Sequence, residues 1–448
     1  MMQLDRRIQL QVLSEFGHLE TVVVHRPGRE LLLPPPKGDD KGELDYYLWD
    51  DIVSLTDIRR QHADFLDALP ASGSLGAPCR VLCVEELVSD VCEDLTTRQG
   101  IADTLIALVE VNGHRLNKDR LGCNFSAKAI KAMANKADGT TFAQCLITGF
   151  WGEESHERLI RPIPNLMFMR DPGAVAGDYL FLSTFRKPAR FREELVLRLM
   201  LRHPLLSDIK ICDVAKEAEE IARQEGGKPS EEPTFEGGDL LVVNERLAIL
   251  GKSSRTTEPA ISVIVHRLAT IGMAVAVVEL PALRSCMHID TVLGFISPEF
   301  YLAHAPMFNE TIDQKFRPTI KVHRSAAGKI NLSEEPEYGI GALLKDYGYM
   351  GEPIFVGGDK PIHQNREQYT EAANVITVRP NAFIMYQRNE ETARVLHEHG
   401  FLITTSIEEF CRIANEPRTY IVLLIEDSEL VRGRGGPHCM TMPLCREV

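Results

Sequence analysis

The chain has 448 residues, of which 44% are hydrophobic and 25% charged, a composition that is ordinary for a soluble globular protein with a buried core. Its formal net charge of −14 argues against nucleic acid as a partner, because surfaces that bind a phosphate backbone are usually basic. No apolar run approaches the roughly 18 residues of a membrane span, and the first residues lack the apolar stretch of a signal peptide, so we expect a cytoplasmic protein with no membrane partner.

The hydrophobic pattern alternates between short β-rich runs and helical stretches along the chain. The first β-rich run is Thr21–Val24. Between about residues 84 and 158, apolar residues recur at three and four residues, which predicts a separate helical unit. Further helical patterns and β-rich runs alternate beyond it, at residues 179–182, 193–201, 259–271, 274–278 and 420–425. This alternation predicts an α/β fold.

A hairpin-like unit of strand, polar turn and strand recurs along the chain. Residues 239–250 and 374–385 match it closely, and 172–182 and 291–305 match it loosely. Polar residues stand where the first strand of each unit begins, namely Asp171, Glu236 with Asp239, His288 with Asp290, and Asn374. Because residues two apart on a strand face the same side, His288 and Asp290 are expected on a strand and in one pocket. If the units are arranged around one axis, these residues meet in one place. The same spacing separates Asp171 from Arg190 and Glu236 from Arg255, so two units are each expected to supply an acid and an arginine.

Near the C-terminal end, a turn rich in glycine and arginine, Gly433 to His438, precedes Cys439. Glycines let the backbone approach a ligand closely, and a thiol that has lost its proton is a nucleophile. By itself the motif also fits a basic tail with a chance thiol, or a buried structural thiol, and His438 is interpreted as a turn residue. The ten cysteines form no CxxC pair and no zinc-like cluster, so neither disulfides nor structural zinc is indicated.

A pocket that combines carboxylates, a histidine, a cysteine and arginines suits a small molecule that is cationic at one end and anionic at the other. Carboxylates accept paired hydrogen bonds from a guanidinium group, and arginines bind a carboxylate. Free arginine satisfies both requirements. Cys439 and His288 then supply a nucleophile and a proton carrier for attack on the guanidinium carbon.

Motifs spread over nearly the whole chain carry a family resemblance: Gly17-His18-Leu19, His25-Arg26-Pro27-Gly28, Leu48-Trp49-Asp50-Asp51, 164–172, 235–239, 287–291, 366–369, 386–389 and 433–443. In order and spacing they resemble the arginine deiminase family of the guanidino-group-modifying superfamily. The resemblance implies a single catalytic domain over residues 1–448, with the fold of a five-bladed, pseudo-symmetric α/β propeller and a helical-bundle insertion at 84–158. It also implies hydrolysis of L-arginine to L-citrulline and ammonia, without a metal or an organic cofactor.

The resemblance assigns roles to the residues of these motifs. Cys439 is the expected nucleophile of a covalent thiouronium-type adduct, and His288 protonates the departing ammonia and then activates water. Asp171 and Asp290 are expected to bind the guanidinium nitrogens, and Glu236 to assist there and orient His288. The other expected site residues are Arg190, Arg255 and Arg434 at the α-carboxylate, Asn165 and Gly433 near the amino-acid end, Phe168 on the wall, and Asp239 as a support behind the pocket.

Alternatives remain open at this point. Met169, where the family usually has Thr, and Pro437, where some members have Gly, leave the substrate detail undecided. A second interpretation is a related guanidine-modifying enzyme, either an amidinotransferase or a deiminase of agmatine or methylarginine. Agmatine has no carboxylate and would leave the three arginines without an anion. A third interpretation is a non-catalytic arginine-binding protein. A homo-oligomer is expected for a member of this family.

Overall fold

The computed structural model of the protein describes residues 7–35, 42–71, 78–110, 126–308, 318–326, 329–334, 339–416 and 418–447. These residues form a mixed α/β fold with 18 strands in five sheets. The strands are β1 (His18–Val24), β2 (Arg80–Cys83), β3 (Gly173–Ala176), β4 (Tyr179–Leu182), β5 (Lys210–Asp213), β6 (Leu240–Asn244), β7 (Leu247–Lys252), β8 (Ala274–Glu279), β9 (Leu293–Phe295), β10 (Phe300–Ala303), β11 (Ile320–Ala326), β12 (Lys329–Glu334), β13 (Glu352–Phe355), β14 (Ile376–Arg379), β15 (Ala382–Tyr386), β16 (Leu402–Thr404), β17 (Ile421–Ile425) and β18 (Met442–Glu447).

The α-helices lie between the strands and in the stretch that follows β2. They are α1 (Glu43–Tyr47), α2 (Leu55–Ala68), α3 (Val84–Val91), α4 (Leu95–Glu110), α5 (Ala127–Lys136), α6 (Gly139–Thr148), α7 (Phe191–Met200), α8 (Val214–Gln224), α9 (Glu258–Thr270), α10 (Ala305–Phe308), α11 (Ile340–Asp346), α12 (Pro361–Tyr369), α13 (Glu390–Glu398) and α14 (Ile407–Ala414). Five of them begin after a residue whose side chain accepts a hydrogen bond from the first turn, namely Ser54, Ser126, Asp138, Asp213 and Ser406. Among the described residues, none of the helices has the length and apolar character that crossing a membrane requires.

The five sheets share one pattern of strand pairing. In each, a central strand runs antiparallel to one neighbour and parallel to the other, as β4 does with β3 and β5. The same holds for β1 with β18 and β2, for β7 with β6 and β8, for β10 with β9 and β13, and for β15 with β14 and β17. Four of these antiparallel pairs, β3–β4, β6–β7, β9–β10 and β14–β15, are hairpins with short turns, whereas the parallel neighbours follow longer connections.

The four predicted hairpin units are confirmed as β3–β4, β6–β7, β9–β10 and β14–β15. Their turn residues explain why the chain reverses there: in the β14–β15 turn, Asn381 adopts a left-handed backbone with a φ of 66°, which asparagine tolerates. One local expectation was wrong. His288 and Asp290 do not lie on a strand, because residues 289–291 form a 3₁₀ turn and Ile289 donates its backbone N–H to Asp239.

The predicted helical stretch contains helices α3 to α6, with residues 111–125 outside the described part of the chain. Their apolar faces share a hydrophobic core with strands β3 and β4 and with helix α7. Phe142, Ile130 and Met133 are fully buried in that core. The periodic apolar pattern therefore reflects packing of these helices on one another and on helix α7.

The first strand of each three-stranded pattern begins shortly after a polar residue singled out in the sequence. Asp171 precedes β3, Asp239 precedes β6, Asp290 precedes β9, Asn374 precedes β14 and Cys439 precedes β18. These five loops come together in the buried interior of the fold.

Candidate active site

Side chains from the loops before the sheets form one buried polar cluster. The Cys439 Sγ lies 3.5 Å from an oxygen of Asp290. His288 Nε2 is 3.0 Å from Glu236 Oε2, and His288 Nδ1 is 3.5 Å from Asp171 Oδ1. All five residues are buried. The structure thus brings together the cysteine, the histidine and the three carboxylates that the sequence indicated.

Asn374 fixes the backbone of the turn that carries the cysteine. Its side-chain oxygen accepts hydrogen bonds from the backbone N–H groups of Gly436 and Cys439, both at 3.0 Å. Its amide nitrogen donates to the carbonyl of Asp290 at 3.2 Å. The sequence pattern placed Asn374 at the start of a hairpin, and no role was predicted for it. It links the nucleophile to the loop that carries Asp290.

Two glycines allow the close packing of the cluster. A Cβ atom added to Gly238 would lie 2.7 Å from His288 Nδ1 and 3.1 Å from Asp171 Oδ1. A Cβ atom added to Gly433 would lie 2.7 Å from the ring of Phe168. Both distances are shorter than real carbon contacts, so a larger residue at either position must displace its neighbour. The backbone of Gly433 therefore lies against the ring of Phe168.

The carboxylates shift the pKa of the two reactive groups. Burial lowers the pKa of His288, but Asp171 and Glu236 outweigh burial and raise that pKa to about 10. Burial raises the pKa of the Cys439 thiol well above its usual value, and Asp290 and Asp171 raise it further. These pKa shifts favour a protonated His288 and a neutral Cys439 thiol.

Asp290 itself is held as a carboxylate. Burial opposes ionisation, but the hydrogen bond and the electrostatic interaction with His438, together with the charges of His288 and Arg170, outweigh burial, and the pKa of Asp290 lies below its usual value. His438 Nδ1 lies 2.9 Å from Asp290 Oδ2, and His438 Nε2 lies 3.2 Å from Glu15 Oε2. The interpretation of His438 as a turn residue was therefore incomplete. Glu15 carried no signal in the sequence.

The arginines expected at the α-carboxylate differ in how they are engaged. Arg190 donates to Glu193 at 2.7 Å through Nη2 and to Asp171 at 2.5 Å through Nη1. Arg255 donates from Nη1 to Glu236 at 3.2 Å. Arg434 is different, because its Nε and Nη1 atoms have no hydrogen-bond partner within the described ranges of the chain. Arg434 therefore has N–H donors available, whereas Arg190 and Arg255 already donate to carboxylates.

The same ion pairs bear on metal binding. Asp171, Glu236 and His288 each offer one ligand atom, and these atoms lie within 4.8 Å of one another. Arg190 Nη1 contacts Asp171 and lies 3.5 Å from Glu236, whose other oxygen is paired with Arg255. Guanidinium groups of the protein thus already pair with the carboxylates that a metal ion would need. The donor set favours a guanidinium group over a metal ion.

The remaining expected residues lie around the cluster. Asn165 accepts a hydrogen bond from Trp49 Nε1 at 2.7 Å and donates to the carbonyl of Tyr47 at 2.8 Å, so its side chain is held by these two residues. Asp239 accepts from Ser253 and Thr256, both at 2.6 Å. Burial raises the pKa of Asp239 to about 7. Because Asp239 also accepts from the backbone of the residue after His288, it orients that loop.

The fold and the cluster agree with comparisons to known proteins. A family model described as arginine deiminase matches residues 45–446. The chain belongs to the arginine deiminase family. It is 28% identical to an arginine deiminase of Oenococcus oeni over 99% of both chains. It is 29% identical to an arginine deiminase of Listeria welshimeri over 98% of both chains.

The chain is also similar to a solved structure outside that set of relatives. This is SxtG, an amidinotransferase from Microseira wollei in the saxitoxin biosynthetic pathway. The TM-score is 0.52 at 14% sequence identity, with 98% of each chain covered. At this identity the similarity extends to the fold. The chain therefore shares its α/β fold with this amidinotransferase.

Proposed function

We propose that this chain hydrolyses the guanidinium group of free L-arginine to L-citrulline and ammonia. The buried cluster of Cys439 and His288 with Asp171, Glu236 and Asp290 carries the proposal, because it unites a nucleophile, a proton carrier and a guanidinium-binding set of carboxylates. Membership of the arginine deiminase family and the activity named for its relatives support the same reaction.

In the first half of the reaction, the thiolate of Cys439 attacks the guanidinium carbon and forms a carbon–sulfur bond. Asp171 and Asp290 hold the guanidinium nitrogens through charge-assisted hydrogen bonds. The imidazolium of His288, which Glu236 orients, gives its proton to one nitrogen. The carbon–nitrogen bond then breaks, ammonia leaves, and a thiouronium group remains on the cysteine.

In the second half, neutral His288 takes a proton from a water molecule. The hydroxide adds to the thiouronium carbon, the carbon–sulfur bond breaks, and Cys439 is released as a thiolate. The new carbonyl of citrulline loses the remaining proton to solvent, where it protonates the released ammonia. His288 is again an imidazolium, which its raised pKa of about 10 favours.

We further propose that the substrate assists formation of the thiolate. Burial and then Asp290 and Asp171 raise the pKa of the Cys439 thiol in the free protein, and a bound guanidinium reverses that local field. Ultraviolet titration of the thiolate in the ligand-free chain, with Cys439→Ser as reference, tests this. We expect a protonated thiol at pH 7, and a dominant thiolate well below pH 7 would contradict the proposal.

The α-carboxylate of the substrate is proposed to bind at the side of the cluster where Arg190, Arg255 and Arg434 lie. Arg434 has donors available, whereas Arg190 and Arg255 must exchange a carboxylate partner to contact the substrate. Asn165, Phe168 and Gly433 remain expected wall residues at this end, and Asp239 an expected support. Carboxylate-free agmatine is therefore expected to be the poorer substrate.

We also propose that the five sheets are the blades of a five-bladed, pseudo-symmetric α/β propeller. The repeated strand pairing supports this arrangement, as does the convergence of the loops that precede each first strand. On this proposal, residues 1–448 form one catalytic domain and residues 84–158 a helical-bundle insertion within it. A homo-oligomer and a cytoplasmic location remain predictions of the sequence.

The test incubates the purified chain with L-arginine and, separately, with agmatine, and follows citrulline, carbamoylputrescine and ammonia. We expect citrulline and equimolar ammonia from arginine, and no product from the Cys439→Ser chain. Cys445→Ser is the matched control, because Cys445 lies in β18 outside the cluster and that variant should keep its activity. Product from agmatine alone, or no product from either compound, would refute the proposal.

A further inference from the structure

Arg434 is unusual in both its backbone conformation and its side-chain contacts. It adopts a left-handed backbone with a φ of 64°, which few residues other than glycine adopt. Its side chain is 2% exposed, and within the part of the chain that the structure describes, its Nε and Nη1 atoms lack a hydrogen-bond partner. A buried cation with unused donors is costly unless neighbouring groups hold and shield it.

The aromatic ring of Tyr369 provides that shielding. The guanidinium carbon of Arg434 lies 3.5 Å from the centre of the Tyr369 ring, at stacking distance. Tyr369 is 47% exposed, whereas Arg434 is almost fully buried. The ring therefore lies between the guanidinium group and solvent, at the last residue of helix α12.

Asp50 holds the same guanidinium group from a second direction. Its Oδ2 atom is 3.8 Å from Arg434 Nη1, and the Tyr369 hydroxyl donates to that oxygen at 3.4 Å. Arg284 fixes Asp50 in turn, because Arg284 Nη2 lies 2.8 Å from Asp50 Oδ1 and also donates to the carbonyl of Leu48 at 2.8 Å. Three separate segments of the chain thus meet around Arg434.

A ring stacked on one face of a guanidinium leaves the N–H groups at its edge available, because these point in the plane of the group. Planar N–H donors at the edge are what a carboxylate requires for paired hydrogen bonds. Exclusion of water by the ring strengthens those bonds. The orientation of Arg434 thus depends on Tyr369 and Asp50, neither of which needs to contact the substrate.

We propose that Tyr369 is a positioning residue that holds Arg434 in the orientation in which its free N–H groups bind the α-carboxylate of the substrate, and that this contact selects arginine over agmatine. The inference rests on the proposed function and extends it to specificity. Arg434 is the group that binds the carboxylate. Tyr369 acts through Arg434, and Asp50 assists through its contact with Arg434 Nη1.

The test compares full-length Tyr369→Leu, Tyr369→Phe and Tyr369→Trp with the unchanged chain. We expect Tyr369→Leu to raise KM for L-arginine about tenfold with little change in kcat, because a desolvated cation–π contact is worth about that much. Tyr369→Phe and Tyr369→Trp keep an aromatic face and should restore KM to within about threefold. Tyr347→Leu is the matched control. The guanidinium carbon of Arg324 lies 5.5 Å from the centre of the Tyr347 ring, so this variant also removes an aromatic ring from an arginine, but not from Arg434.

Binding measurements separate this inference from the proposed function. In a Cys439→Ser background, calorimetry should find that Tyr369→Leu weakens binding of L-arginine about tenfold and leaves binding of agmatine unchanged. An unchanged KM and affinity in Tyr369→Leu would overturn the inference, as would equal losses in the leucine, phenylalanine and tryptophan variants. Failure of the unchanged chain to form citrulline would refute the proposed reaction, while the calorimetric arm would still test the role of Tyr369.

Discussion

The inner and outer ends of the proposed pocket are held by different kinds of interaction. At the inner end, His288 and the carboxylates are buried and lie 3.0 to 3.5 Å apart. At the outer end, Arg434 is held by a half-exposed ring and by a carboxylate at 3.8 Å. Preorganised charge in a buried site acts on the transition state, whereas a partly exposed contact acts on substrate binding. Substitutions at the inner end should therefore change kcat, and those at the outer end KM.

The largest effect is expected for the proton carrier at the inner end. His288→Gln removes the imidazole and should lower kcat by about 10²- to 10⁴-fold, the usual contribution of a general acid and base. Steady-state kinetics of citrulline formation measures the loss. His399→Gln, on an exposed histidine, serves as the control. If His288→Gln keeps its kcat and loses only affinity, the division between the two ends is wrong.

The same variant has a signature in stability. Because folding raises the pKa of His288 to about 10, its protonated form stabilises the fold fully below its unfolded pKa, and this stabilisation is lost as pH rises through about 10. The free energy of unfolding of the unchanged chain should therefore exceed that of His288→Gln most below about pH 6.5. Denaturant unfolding at several pH values measures the difference. A difference that grows towards high pH would contradict the assigned charge.

A single added methyl group should also disrupt the inner end. In Gly238→Ala, the new Cβ would lie 2.7 Å from His288 Nδ1, so the imidazole or its loop must shift. A displacement of about 1 Å can cost roughly 10²-fold in rate, and we expect a loss of that size in kcat. Gly227→Ala is the matched control, because its nearest neighbour is 4.0 Å away. Equal activity of the two variants would show that the close contact is not needed.

His438 tests how far the inner end extends. His438→Leu removes the hydrogen bond that, against the effect of burial, keeps the pKa of Asp290 low, so this pKa should rise. Asp290 must be ionised to bind the guanidinium group, and the acidic limb of the kcat/KM profile should therefore move to higher pH. At its optimum, kcat/KM should fall about tenfold, as for loss of a hydrogen bond to a charged group.

His438→Gln offers an amide N–H to the same carboxylate. This variant should restore part of the activity and part of the pH profile. An acidic limb that stays in place in His438→Leu would mean that His438 does not control the ionisation of Asp290.

The sequence predicted the inner end well because its signals are local. Asp171, Asp290 and Cys439 each precede a strand within a recognisable motif, and the period of the helical stretch follows from packing on one face. The strand expected at His288 and Asp290 was wrong, because the side chain of Asp239 captures the N–H of the residue between them. Such a capture depends on a contact between two loops and has no local signature.

The outer end and the support of the inner end could not be predicted in this way. Glu15 and His438 lie at opposite ends of the chain, and neither stands in a pattern that links it to the other. Tyr369 is the last residue of a family motif, but its stacking on Arg434 depends on where helix α12 ends relative to the C-terminal turn. Contacts of this kind arise from the tertiary arrangement of complete elements, and hydrophobic period carries no information about them.

The smallest effect is expected at the rim of the outer end. Arg284→Gln removes the ion pair that fixes Asp50, but the Arg284 side chain is 44% exposed, and exposed pairs contribute little. We expect KM for L-arginine to rise about two- to threefold, with kcat unchanged and the difference reduced at high salt. The control is Arg412→Gln. Arg412 lies on helix α14 and forms an exposed ion pair with Glu416 in the turn after it. A change in kcat instead would mean that Asp50 influences the inner end, and that the two ends of the pocket do not act independently.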